Sequence, residues 1–126
     1  MVTALMCLAT TIYYEARGEP LIGQFAVAQV VINRVEDSRY PDTICGVVKD
    51  PNAFSYIKPK GDYSMVSYKA KYKALQVATL AISGGGIAIP STHYHTSGIR
   101  PHWAKHFDLD GKIGSHIFYT NNTPYK

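Results

Sequence analysis

The stretch that most constrains this chain runs from Leu21 to Val35. Leu21, Phe25, Ala28, Ile32 and Val35 recur at alternating spacings of four and three, the stripe of a helix that buries one side. Val27, Val30 and Val31 make the opposite side apolar too, and Asn33 and Arg34 near the end are the main polar positions. A helix apolar nearly all round belongs at the centre of a domain. Pro20 can open it, since proline is tolerated in the first turn.

A second helix is predicted just before it, from about Thr3 to Arg17, with Gly18 as its stop. Leu5, Leu8 and Ile12 draw its apolar stripe, and Glu15, three residues past Ile12, continues that stripe. A carboxylate at the end of a buried stripe is costly to ionise. A carboxylic acid that stays protonated near neutral pH is what cleaving a glycosidic bond needs. The plainer reading is a helix-end glutamate paired with Arg17 or a lysine. Glu19 is the one other carboxylate set in a motif beside it. It is placed either as a second catalytic carboxylate, which a water-using glycosidase requires, or as a helix-end partner of Arg17 or Arg34.

Downstream, Asp42 is predicted to cap a short helix from Thr43 to Val48. Asp50-Pro51-Asn52 signals a turn, Ala53-Phe54-Ser55-Tyr56 a short strand, and Lys58 to Asp62 a loop. Ser64 is the expected cap of a long helix through Ile82, whose Ala70, Ala74, Ala78 and Ala81 allow close packing. Gly84-Gly85-Gly86 ends it. Beyond Pro90 the pattern predicts a strand over Thr92–His95 and an irregular stretch from Arg100 to Phe107 with one helical turn. A turn at Asp108-Leu109-Asp110-Gly111 and a final strand over His116–Tyr119 follow. The reading is one α+β domain over residues 1–126, mostly helical, with four helices and a small sheet of two or three strands. A domain of 126 residues needs no metal or disulfide to hold it together. Cys7 and Cys45 read as small buried hydrophobes, with a bond between them neither required nor excluded.

The net charge of +4 favours anionic polymers without choosing among them. The basic residues are scattered, and Lys69, Lys71 and Lys73 read as a solvated helix face. No aromatic-plus-basic pattern points to nucleic acid, and no apolar run is long enough to cross a membrane. The ten tyrosines suit sheet edges and sugar-binding clefts alike. His93 and His95 share a strand side, His102 and His106 share a face if helical, and His116 is a possible third ligand, so a zinc-dependent hydrolase, such as an amidase or peptidase, is an alternative. No H-E-x-x-H occurs, and no metal or other cofactor is expected. The apolar first twelve residues lack the basic segment of a signal peptide. The chain is therefore expected to be trimmed from a longer protein, or delivered by other means, as for a phage-encoded enzyme.

Several separated motifs in order carry a resemblance across nearly the whole chain. They are Tyr13-Tyr14-Glu15-Ala16-Arg17-Gly18-Glu19, Gly23-Gln24, Val30-Val31-Ile32-Asn33-Arg34-Val35, Asp42 to Val48, Ala53-Phe54-Ser55, Thr92-His93-Tyr94-His95, and Ile113-Gly114-Ser115-His116-Ile117-Phe118-Tyr119. Together they resemble the spore cortex-lytic family of bacterial and phage cell-wall hydrolases. The resemblance implies a lysozyme-like fold related to lytic transglycosylases, and cleavage between N-acetylmuramic acid and N-acetylglucosamine in peptidoglycan. It places Glu15 on the family's catalytic glutamate. Phe54, Ser55, Tyr94, His95, Trp103 and His116 are expected to line the cleft, with Arg17 and Glu19 standing behind the acid. Ser55-Tyr56 departs from the family's frequent serine-tryptophan. A single acid suffices for a transglycosylase, because the muramic acid's own C6 hydroxyl attacks the anomeric carbon. The alternatives are a muramidase using a second carboxylate and the metal-dependent amidase. A monomer acting at the bacterial wall is expected.

Overall fold

Helix α2 (Leu21–Val35) occupies the middle of the molecule, as its all-round apolar surface requires. The structure is a computed structural model and describes residues 3–50, 53–54 and 64–124. On one side α2 meets α1 (Ala4–Ala16), α3 (Ile44–Lys49) and α4 (Tyr68–Ile82). Leu8, Ile12, Tyr13, Ala28, Val31, Val47, Val77 and Ala78 interlock there. On the other side Ala26 and Val30 pack on Phe118 of the sheet, flanked by Ile87, Ile89 and Ile113. The two cores meet at Tyr94, which packs against both. Leu21, which opens the predicted stripe, is instead half-exposed. It lines an open apolar groove of about 700 Å³ with Leu5, Phe25, Tyr72, Leu75 and Leu80.

The sheet is fully antiparallel, with strands β1 (His93–Thr96), β2 (Asp108–Ile113) and β3 (His116–Thr120) in the order β1-β3-β2. A 3-10 turn, His102–Lys105, supplies the expected single helical turn. Among the described residues, four α-helices and three short strands match the predicted class.

Three local expectations are corrected. The cap of α3 is Thr43, not Asp42: the Thr43 hydroxyl accepts from the Gly46 amide at 3.0 Å. The cap of α4 is Ser67, not Ser64, its hydroxyl accepting from the Ala70 amide. The predicted turn at Asp108–Gly111 is the first part of β2. Its residues are exposed or nearly so, and the ladder is irregular between Leu109 and Gly111, where Gly111 has φ +143°. An exposed edge strand with a bulge glycine carries turn-type residues without turning. Residues 51–52 and 55–63, on which the Asp50-Pro51-Asn52 turn, most of the Ala53–Tyr56 strand and the Lys58–Asp62 loop fall, lie outside the described residues.

Cys7 and Cys45 are bonded to each other, with Cα atoms 5.4 Å apart. The two residues therefore act as a covalent tie between α1 and α3 and not as separate apolar fillers. Apolar surroundings in a sequence do not reveal that two cysteines face each other in space.

Candidate active site

Helix α1 delivers Glu15 to the junction of the two cores. Of the apolar stripe, Leu8 and Ile12 are fully buried and Leu5 partly so, and the helix ends one residue after Glu15, at Ala16. Glu15 is therefore half-buried at the rim of the helical layer. The side chain that meets it comes from the sheet: the Tyr94 hydroxyl donates to Glu15 Oε1 at 2.5 Å. Arg17 does not pair with Glu15 in the way the plainer reading expects. Its guanidinium donates to the Tyr13 hydroxyl at 2.7 Å and stacks over that ring, 4.8 Å from its centroid. The same hydroxyl accepts from the Ser67 amide, so Arg17 braces the start of α4.

Tyr94 is fixed by its neighbours. The His116 ring meets it edge-on at 4.8 Å between centroids, and the Phe118 ring lies at 5.6 Å. Register explains this. Tyr94 is paired with Phe118 and Thr96 with His116, and opposed residues of an antiparallel pair share a face. His116 is 4% exposed and sits behind Tyr94.

Glu19 lies off the helix, in the corner between α1 and α2, where its amide donates to Ala16 O at 2.9 Å. Its carboxylate turns to the β2–β3 turn. Oε1 accepts from the Ser115 amide at 2.7 Å and Oε2 from the Ser115 hydroxyl at 2.6 Å. Burial pushes the Glu19 carboxyl up, but the Ser115 hydroxyl, the Ser115 amide and the facing His116 outweigh it, and the net shift is downward. Gly114 makes this latch possible. It has φ +60°, and a Cβ there would lie 2.3 Å from Glu19 Oε1. Neither Arg17 nor Arg34 is the partner of Glu19. His116 Nδ1 points toward the same carboxylate from 3.7 Å and makes no hydrogen bond.

His95 and Trp103 are not on this side. His93, His95 and Tyr119 occupy the opposite face of the sheet, where the 3-10 turn lays Trp103 and Phe107 against them. His95 Nε2 is bonded to the Tyr119 hydroxyl at 3.0 Å. Burial, with Arg34 and Arg39 nearby, pushes His93 down to about 3. The set predicted to form one cleft wall is thus split by the sheet. Tyr94 and His116 stand with Glu15, while His95 and Trp103 stand behind.

Phe54 is 5% exposed, with the Arg34 guanidinium 5.6 Å from its ring centroid. Ser55 lies outside the described residues. Among the described residues, no three histidine, cysteine, aspartate or glutamate side chains converge as a metal-binding set. No helix among them is long and apolar enough to cross a membrane.

Two residues escaped the predicted site. Arg34 is buried, donates to Thr92 O at 2.6 Å at the entry to β1, and stacks over Tyr40 and Phe54. A lone arginine in an otherwise apolar helix was its signal. Ser115 was visible only as part of a motif, since nothing local shows that a turn serine bonds a glutamate 96 residues away.

Comparison with known proteins gives consistent matches. Residues 18–119 match the family model described as Cell Wall Hydrolase. The chain is 34% identical over 114 residues to a spore cortex-lytic enzyme of Bacillus cereus, covering 90% of this chain and 43% of that protein. It is 33% identical over 119 residues to one of Halalkalibacterium halodurans, covering 90% of this chain and 34% of that protein. The chain thus spans less than half the length of these curated relatives. The fold superimposes on the catalytic domain of the Bacillus cereus SleB protein with a TM-score of 0.74 and 30% identity, covering 93% and 89% of the two chains. The catalytic domain of the germination-specific lytic transglycosylase SleB from Bacillus anthracis gives 0.76 and 31%, covering 93% of each.

Proposed function

The chain belongs to the cell wall hydrolase family, and from that premise we propose that it cleaves peptidoglycan glycan strands between N-acetylmuramic acid and N-acetylglucosamine, as a lytic transglycosylase with Glu15 as its acid and base. The observation that carries this reading is the Glu15 carboxylate held by the Tyr94 hydroxyl at the seam between helices and sheet. Glu15, in its protonated form, donates its proton to the glycosidic oxygen as that bond breaks. The same carboxylate then takes the proton of the muramic acid C6 hydroxyl as that oxygen bonds to the anomeric carbon. No water is consumed, and an anhydro sugar results. Because the nucleophile is already part of the substrate, holding it in place can contribute about 7–11 kcal/mol.

The second carboxylate supports this choice over hydrolysis. A water-using mechanism needs a second placed carboxylate, and both Glu19 oxygens are engaged by Ser115. The Bacillus anthracis neighbour is itself described as a lytic transglycosylase. The family match begins at residue 18, past Glu15, so the acid's role rests on the geometry around it. Tyr94 is the described aromatic beside the acid, and on this reading it also borders the sugar. The protein is taken to act as a monomer at the bacterial wall.

The test is mass spectrometry of digested peptidoglycan with the wild type and Glu15→Gln. Wild type is expected to release muropeptides lighter by one water than hydrolysed ones, and Glu15→Gln to release essentially none. A reducing terminus overturns the transglycosylase route, and an active Glu15→Gln overturns the acid.

A further inference from the structure

We propose that His116 is a positioning residue for the acid: it holds Tyr94 on Glu15 through its ring while neutral, and becoming a cation beside Glu19 by gaining a second proton on Nε2 loosens that hold. This rests on the reading of Glu15 as the acid but assigns His116 a part that sugar binding does not cover. At 4% exposure, His116 has little surface to offer a glycan.

The geometry is a chain of contacts. Ser115 fixes Glu19 through two hydrogen bonds. Glu19 Oε1 faces His116 Nδ1 across 3.7 Å, too far for a hydrogen bond. The His116 ring presses edge-on against Tyr94, and Tyr94 donates to Glu15. Nδ1 is buried and makes no hydrogen bond, which is costly for a polar atom. With a carboxylate opposite, the tolerable neutral form carries its hydrogen on Nδ1, because a lone pair there would face negative charge. A second proton makes the ring a cation beside Glu19. Closing 3.7 Å to hydrogen-bond length then shifts the ring toward Glu19 and loosens its contact with Tyr94.

The charges around His116 set where this occurs. Burial holds its proton affinity down. Glu19 from the α1–α2 corner and Glu15 from α1 raise it, His95 of β1 lowers it, and the net shift is below the ordinary 6.5. His116 is therefore neutral near pH 7, and the loosened state belongs to more acid conditions.

The experiment combines long-range proton–nitrogen NMR of the histidines in the intact wild-type chain with kcat and KM on peptidoglycan across pH. NMR is expected to show His116 as the Nδ1–H tautomer near pH 7, titrating below 6.5. Glu19→Gln, which removes the facing charge, should move that titration to lower pH. His116→Ala should lower kcat roughly tenfold to a hundredfold with KM within about twofold. His116→Phe restores the ring and should recover most of the loss without the acid-side fall in kcat. The proposal is overturned by an Nε2–H tautomer, by a loss in KM alone, or by an unchanged acid limb in His116→Phe. The NMR arm needs no His116 variant, so a variant that fails to fold does not block the test. An active Glu15→Gln sinks the acid reading instead, and leaves the tautomer and its titration standing.

Discussion

At the scale of single residues, the site turns on a hydroxyl placed by a strand and a carboxylate placed by a helix. A hydrogen bond contributes about 0.5–3 kcal/mol depending on the charge of its partner, and the one from Tyr94 fixes Glu15 Oε1. Tyr94→Phe keeps the ring between His116 and Phe118 and removes the hydroxyl that bonds Glu15. Its expected effect is a fall in kcat of roughly tenfold to a hundredfold with little change in KM, checked by steady-state turnover of soluble glycan fragments. Much of this was legible. Glu15 could be singled out because three apolar residues at helical spacing lead to it. The wall around it was read less well. Tyr94 and His95 are neighbours on a strand, so they point to opposite faces, and the alternation alone separates them once the strand is accepted. The partners of Glu19 were not legible, because Ser115 reaches it through a chain reversal far along the sequence.

At the scale of elements, the β2–β3 turn is pinned to the α1–α2 corner through one glycine. Gly114 needs both its positive φ and its missing Cβ. Gly114→Ala places a Cβ against Glu19 Oε1 and a side chain in left-handed backbone, a conformation that costs about 1–2 kcal/mol before any clash. The expected result is a loss of stability larger than that figure, together with reduced kcat because the turn carries His116. Denaturant unfolding and turnover measure the two effects separately. Helices were the most legible elements, since periods of three and four over 13 to 15 residues have few competing readings. Caps were less legible, because Asp42 stands next to Thr43, and Ser64 three residues before Ser67. Strand β2 was misread because its exposed residues show no alternation of burial. The cysteine tie between α1 and α3 joins residues 38 apart, and a loop of that size implies about 4 kcal/mol of stabilisation in the chain-entropy model. Reduction with dithiothreitol should lower the calorimetric Tm by roughly 10–15 °C. An unchanged Tm would mean the helices hold α1 in place unaided.

At the scale of the whole molecule, the central helix divides the labour: its helical side builds the rigid platform behind Glu15, and its sheet side positions Tyr94. This division follows from the apolar surface of α2, and it is why the fold class could be read while the site's partners could not. A disulfide suits an oxidising space outside the cytosol, which agrees with the wall-directed activity proposed for this chain. The same architecture sets its response to acid. His93 is pushed down to about 3, and His116 is lowered from 6.5 in the same direction. A histidine whose folded affinity for protons is depressed lets the unfolded chain bind more protons between the two values. Its stabilising effect is complete above about 6.5 and is lost as pH falls from there toward about 3. Glu19 and Asp37 are depressed as well, but their effect is lost only below their ordinary values of 4.5 and 3.8. The two classes separate in pH. Tm should begin to fall just below 6.5, before either carboxylate contributes, and steepen below about 4.5. His93→Phe, in a position already lined by Tyr40, Trp103 and Phe107, should flatten that curve throughout its fall from about 6.5, while the added steepening below about 4.5 from the carboxylates remains. Scanning calorimetry of both proteins from about pH 7 to pH 4 checks it. Parallel curves would show that His93 takes up its proton in the folded state at no cost, contrary to its burial beside Arg34 and Arg39.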